Sequence, residues 1–193
     1  QIRTRTRKLA ATTYAHAAVG RSTKSVTEHK LMHPLTGQAE KEAIQWMHAA
    51  AQVAEHALCQ RAKCGTVIVQ DGKILGKGYN APPLDAEMNR TCARELQPGK
   101  PKYDQTCCVH AEWRAIVDAL KNDAQAVAGS TLYFTRVDSA GIIVKSGQPY
   151  CTVCSRLALD VGIKAFILWH EEGIVAYPTS DYNELSYSYV HKG

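Results

Sequence analysis

The chain has 193 residues, enough for one domain with a sizeable buried core, and its 45% apolar content suits a soluble globular fold rather than a disordered or fibrous one. No apolar run reaches the length of a membrane span, so a helical membrane protein is excluded as an expectation. The net charge of +5 is concentrated at one end. Residues 1–38 carry seven Lys and Arg against Glu28 alone, the rest is nearly neutral, and any affinity for nucleic acid must come from that arm.

In chain order, residues 1–38 read as a basic, Thr-rich N-terminal arm closed by Pro34 and Gly37, ahead of a single domain over 39–193. The arm makes a poor secretory leader. Seven cysteines, an odd number with Cys107 and Cys108 adjacent, do not form a disulfide framework. Their thiols read as metal ligands or small buried groups in a reducing, cytoplasmic compartment. Ile44, Met47, Ala51, Ala54 and Leu58 recur at spacings near three and four, which predicts a helix of about 18 residues. GTVIVQDGKILGKGYN is two apolar runs joined by Asp71-Gly72, a hairpin signal. Residues 81–106 have no period and read as a long loop.

A second helix is expected over 109–122, with Ala111, Ala115, Ile116 and Ala119 on its apolar side. STLYFTRV (130–137) reads as a buried strand, and SAGIIVKSGQ as a turn with a short strand. Residues 149–162 begin with Pro and end in Gly, as a helix entered at its cysteines would. KAFILWH (164–170) is another buried strand, and the tail reads as one more strand and a short helix around Tyr182–Tyr189. Helices and strands in this alternation predict a layered α/β sheet with helices on both faces.

The stretch CCVHAEWRAI places His110 and Glu112 at the start of the second helix, and Cys151-Thr152-Val153-Cys154 supplies two thiols at the start of the third. Two cysteines three apart in a first helical turn face one way, and the helix dipole favours their thiolates. With His110 they form a Cys₂His set, three ligands with a fourth position open, the pattern of a catalytic rather than a structural Zn²⁺. Two positions along a helix, Glu112 points about 200° away from His110. It is therefore expected beside the metal rather than on it, as a proton carrier. His-x-Glu followed by Cys-x-x-Cys is the signature of zinc-dependent deaminases.

From 41 to about 170 the chain resembles the zinc-dependent cytidine and deoxycytidylate deaminase superfamily, with its best local match in the dCMP deaminase branch. The matching pieces are RAKCGTVIVQDGKILGKGYNAPP, NRTCARE, CCVHAEWRAI, STLYFT and YCTVCSRLALDVGIKAFIL. The resemblance implies a three-layer αβα sandwich around a mixed sheet of about five strands, loss of an amine as ammonia, and homo-oligomers. It also implies that Asn80 and the backbone at Ala111 bind substrate. In some relatives loop cysteines and histidines hold a second, structural zinc, for which Cys59, Cys64, Cys92, Cys107 and Cys108 are the candidates here.

Three features depart from the family pattern. Tyr150 separates Pro149 from Cys151, RVDSAGIIVKSGQ inserts an apparent hairpin expected to border the pocket, and Trp113-Arg114 follows His-Ala-Glu. Arg114 reads as solvated surface, and Arg90, Arg94 and Lys102 as phosphate-binding candidates. The leading expectation is deamination of a cytosine-type mononucleotide such as dCMP. A second is a deaminase acting on a base in single-stranded DNA or RNA, bound through the basic arm with Trp113, Tyr150 or Trp169 stacking on it. A third is a non-catalytic zinc module of the same fold.

Overall fold

The structure, a computed structural model, describes residues 34–95, 98–99, 106–145 and 147–189. The basic arm up to residue 33 and Lys102 lie outside the described residues. Helix α1 (Gly37–Ala54) buries Ala43, Met47, Ala50, Ala51 and Ala54. It ends one turn earlier than its apolar spacing suggests, and Leu58 is left 43% exposed. The small residues on this stripe have a cause. A Cβ on Gly65 of the neighbouring strand would lie 2.0 Å from the Ala50 carbonyl oxygen, so helix and strand meet backbone to backbone.

Strands β1 (Lys63–Gln70) and β2 (Lys73–Tyr79) form the expected antiparallel hairpin. Asp71 and Gly72 both take left-handed φ values, 49° and 70°, as a two-residue turn of this kind requires. Where a long loop was expected, the described residues after β2 include two 3₁₀ turns, Pro83–Asp85 and Glu87–Asn89. Then come α2 (Ala111–Asp123), β3 (Thr131–Val137), β4 (Ile143–Val144), α3 (Thr152–Asp160), β5 (Ala165–His170), β6 (Gly173–Pro178) and α4 (Thr179–Ser188). The main path of the sheet runs β2-β1-β3-β5-β6. Only β3 and β5 pair parallel, with α3 as their crossover. The sixth strand is the inserted hairpin: β4 folds back on Arg136 and Val137, around a turn in which the Asp138 carboxylate accepts from the N–H groups of Ala140 and Ile142.

Side-chain alternation sets the layers. Along β5, Phe166 and Leu168 pack with α2, α3 and α4, whereas Ile167 packs with Ala43 and Met47 of α1. The result is the expected αβα sandwich, with one helix on one face and three on the other. Helix α4 starts three residues earlier than expected, and its Tyr182 stacks on Phe166 at 4.1 Å between ring centroids. Among the described residues no helix is long and apolar enough to cross a membrane.

Helix α2 rests on bare strand backbone. A Cβ on Gly78 would lie 2.2 Å from the Ala111 carbonyl oxygen and 2.3 Å from the Ala115 nitrogen. Gly78→Ala must push the start of α2 off the sheet, and is expected to cost about 3 kcal/mol as overpacking against atoms that cannot rotate away. A lowered urea midpoint with unchanged slope is the check.

Candidate metal centre and active site

Strands β2 and β3 both run antiparallel to β1, so they run parallel to each other and end on the same edge of the sheet. The register shows it: Tyr79 at the end of β2 pairs with Gly65, and Val137 at the end of β3 pairs with Lys63. Helices α2 and α3 both begin at that edge, where open α/β sheets bind their ligands. Each helix is entered through a ligand candidate in extended backbone, His110 (φ −68°, ψ 151°) before α2 and Cys151 (φ −99°, ψ 103°) before α3. The Cys151 sulfur also accepts the Cys154 N–H at 3.3 Å, capping its own helix.

His110 Nδ1 lies 3.2 Å from Cys154 Sγ and 3.5 Å from Cys151 Sγ. Among the described residues this is the one group of three metal-type donors with all atoms within 4.8 Å of one another. Zinc bonds of about 2.3 Å to sulfur and 2.0 Å to nitrogen, at a tetrahedral angle, separate N from S by about 3.5 Å. The donor set fits that ion in type and in spacing. His110 precedes the helix rather than belonging to it, so the 200° separation expected for two helical residues does not apply. Glu112, two residues on, is outside the donor group and buried.

Within the protein's own field the donors are unequal. Hydrogen bonds from Cys154 and His110 hold Cys151 down to about 4, a thiolate at neutral pH. The bond to Cys151 lifts His110 to about 9, and burial pushes Cys154 well above an ordinary thiol. Burial likewise raises Glu112 above the usual carboxylate range, against the pull of His110. Two residues of α4 brace the site. Tyr182 Oη accepts from the Tyr150 N–H at 3.4 Å, and Asn183 Oδ1 accepts from Ser155 Oγ at 2.8 Å.

A cavity of about 220 Å³ opens beside His110, lined also by Asn80, Arg61, Arg94, Cys59, Cys92, Cys107 and Cys108. Asn80 reaches it with part of its amide engaged. Oδ1 accepts from Cys64 N–H and Nδ2 donates to the Ala62 carbonyl, both at 2.8 Å, and these two bonds use one lone pair and one hydrogen of the amide. Ala111 is buried at the first position of α2.

Four of the five cysteines named for a second zinc form a chain of thiol contacts, Cys92 to Cys107 to Cys108 to Cys59. They do not form a group of mutually close donors like the one at His110. Cys64 stands apart on β1, pushed up to about 12 by burial. Arg90 is taken up by Glu87 at 2.6 Å and the Leu58 carbonyl at 3.0 Å. No described residue of the inserted hairpin lines this cavity; Val137–Gly141 border a separate hollow with Glu55 and Lys63. Trp169 packs in the α1 layer, on the other face of the sheet from the site, whereas the Trp113 ring lies 6.1 Å from that of His110. Arg61, which sequence reasoning missed, lies in the turn before β1, where no periodicity marks it.

Residues 40–170 match the model of the cytidine and deoxycytidylate deaminase zinc-binding region. The chain belongs to that deaminase family. A deoxycytidylate deaminase of Mycobacterium phage D29 is 35% identical over 125 residues, 61% of this chain and 86% of that protein. The crystal structure of cytidine deaminase from Burkholderia pseudomallei shares the fold, with a TM-score of 0.50 at 17% identity over 72% of this chain and 94% of that one. The dCMP deaminase from cyanophage S-TIM5, crystallised with dCMP and dUMP, gives a TM-score of 0.47 at 26% identity over 68% of this chain and 82% of that one. As a member of the family the deaminase is a zinc-dependent hydrolase.

Proposed function

We propose that the deaminase converts dCMP and water to dUMP and ammonia, with His110, Cys151 and Cys154 holding the zinc and Glu112 carrying the proton. The observation that carries this reading is the convergence of the His110 nitrogen and two cysteine sulfurs at two helix starts, with a buried carboxyl group alongside. Zinc bound there supplies an acidified water as nucleophile. Glu112 takes the proton that the water gives up and delivers it to ring nitrogen N3. It then takes the remaining proton of the oxygen now bonded to C4 and passes it to the amine, which leaves as ammonia as the C4 carbonyl forms. Burial favours its neutral form, so the carboxylate accepts a proton readily.

The choice of a monophosphate rests on the cavity. Arg61 and Arg94 share its wall with His110, and guanidinium groups match phosphate oxygens in bidentate pairs. The phage D29 relative is named for the same substrate. Asn80 and the Ala111 backbone border the position of the pyrimidine.

The test is ammonia release from dCMP, deoxycytidine, cytidine, cytosine and a single-stranded oligonucleotide. The expected result is a kcat/KM for dCMP at least about 100-fold above that for deoxycytidine, the worth of two charge-assisted contacts. Equal rates on nucleoside and nucleotide would remove the phosphate from this reading, and turnover of the oligonucleotide alone would replace it.

A further inference from the structure

We infer that Arg114 fixes one wall of the substrate pocket, clamping the Asn80–Asp85 segment to the start of the helix that follows His110. This deepens the proposed function, since it rests on the reading that the cavity beside His110 takes the substrate. The sequence suggests a solvated side chain, yet Arg114 is only 20% exposed. Its Nη1 donates to Asp85 Oδ1 at 2.7 Å and its Nη2 to the Pro82 carbonyl at 2.8 Å, with the Ala81 carbonyl at 3.5 Å. The guanidinium carbon stands 5.1 Å over the ring of Tyr79. The Tyr79 hydroxyl in turn donates to the other Asp85 oxygen at 2.5 Å.

The segment needs this support. Leu84 and Asp85 are consecutive non-glycine residues with left-handed φ values of 59° and 57°, a region that side-chain-bearing residues rarely occupy. Leu84 is 90% exposed, so its packing does little to hold the turn. Within the turn the Asp85 and Ala86 amides and Asn89 bond the carbonyls of Pro82 and Pro83, and the bonds that tie it to the strand and to α2 are those on the Asp85 carboxylate, one from Tyr79 and one from Arg114. The chain just ahead of the turn reaches the site directly. Asn80 lines the cavity, and Ala81 bridges to Val109, the residue before His110, through bonds of 2.9 and 3.4 Å.

Arg114, one turn along the helix from His110, closes this loop of contacts on itself. Two other residues also tie α2 to β2, Asp118 to the Lys77 N–H and Asn122 to the Leu75 carbonyl, but both lie farther along the helix from the pocket. Arg114 is thus a positioning residue, and its effect belongs in substrate binding more than in the chemical step.

The experiment compares Arg114→Met and Arg114→Lys with Asn122→Ala, by steady-state kinetics on dCMP and by amide hydrogen exchange. Arg114→Met is expected to raise KM about tenfold or more with kcat changed by less than about threefold, a split that simple destabilisation does not give. Lysine keeps the charge but not the planar fork, so Arg114→Lys should recover little. The amides of Asp85 and Ala86, bonded to the carbonyls of Pro82 and Pro83, should exchange at least about tenfold faster in both variants and at the wild-type rate in Asn122→Ala. An unchanged KM in active Arg114 variants overturns the inference, as does the same KM shift in Asn122→Ala. A wild type inert toward dCMP would remove the substrate reading instead. Exchange at residues 85 and 86 still decides the clamp in that case, supporting it if faster in the Arg114 variants and overturning it if unchanged.

Discussion

Glu112→Gln is expected to lower kcat on dCMP by about 10⁴-fold, the upper end of what one proton-transferring group supplies, because the same carboxyl serves both the nucleophile and the leaving amine. That factor corresponds to about 5.5 kcal/mol of barrier. Glutamine keeps the volume and the hydrogen-bonding capacity of the side chain but carries no transferable proton. Zinc content should be unchanged, since Glu112 is outside the three-donor group. The zinc-stripped variant should also be the more stable protein at neutral pH. Burial raises the folded-state value of Glu112 above that of the unfolded chain, so its contribution is fully present at low pH and is lost as pH rises through the raised value. An amide has no such loss. A higher melting temperature at pH 7, shrinking toward pH 4, checks the sign, and a variant that retains most of its activity would remove Glu112 from the chemistry.

The three donors that the fold brings together were legible in the sequence because each is local. His110 and the Cys151–Cys154 pair stand at helix starts, where an apolar period begins and Pro or Gly punctuation marks the boundary. The β1–β2 hairpin was legible from Asp71-Gly72 for a similar reason, since a two-residue turn demands left-handed backbone. The fold class followed from the order of these elements.

What escaped was decided by contacts distant in sequence. Among the described residues the pocket walls come from Cys59, Arg61, Asn80, Cys92, Arg94 and Cys107, in stretches with no period, and Asn80 and its neighbours are held by hydrogen bonds to α2 and across to Ala62. Arg114 had one visible signal, its place in the first turn of the helix that His110 opens. The glycines of β2 were a second unread signal. Gly76 and Gly78 alternate on one face of the strand, and a helix backbone lies directly on them. The stripe of α1 is shifted for the same reason, because alanine rather than a larger residue fits over Gly65.

Zinc binding to the stripped protein should release two protons near neutral pH. Cys151, held down to about 4, is already a thiolate, whereas His110, lifted to about 9, and Cys154, pushed higher by burial, each carry a proton that the metal must displace. Affinity should then rise about 100-fold per pH unit between roughly pH 5 and pH 9, and fall as steeply on acidification. Cys154→Ala removes one ligand and one of the two protons. It should weaken binding by several orders of magnitude, abolish turnover, and change the slope, since Cys151 also loses the Cys154 bond that does most to hold it down. Competition against a chromophoric chelator at pH 6, 7 and 8 measures both slopes. A wild-type slope of one would mean that either the imidazolium or the buried thiol has already lost its proton in the free protein. Where the imidazolium is the group that has lost it, the raised His110 and the lowered Cys151 do not form a charged pair in the free protein, and the fixed thiolate that makes this pocket attractive to a divalent cation would need another origin.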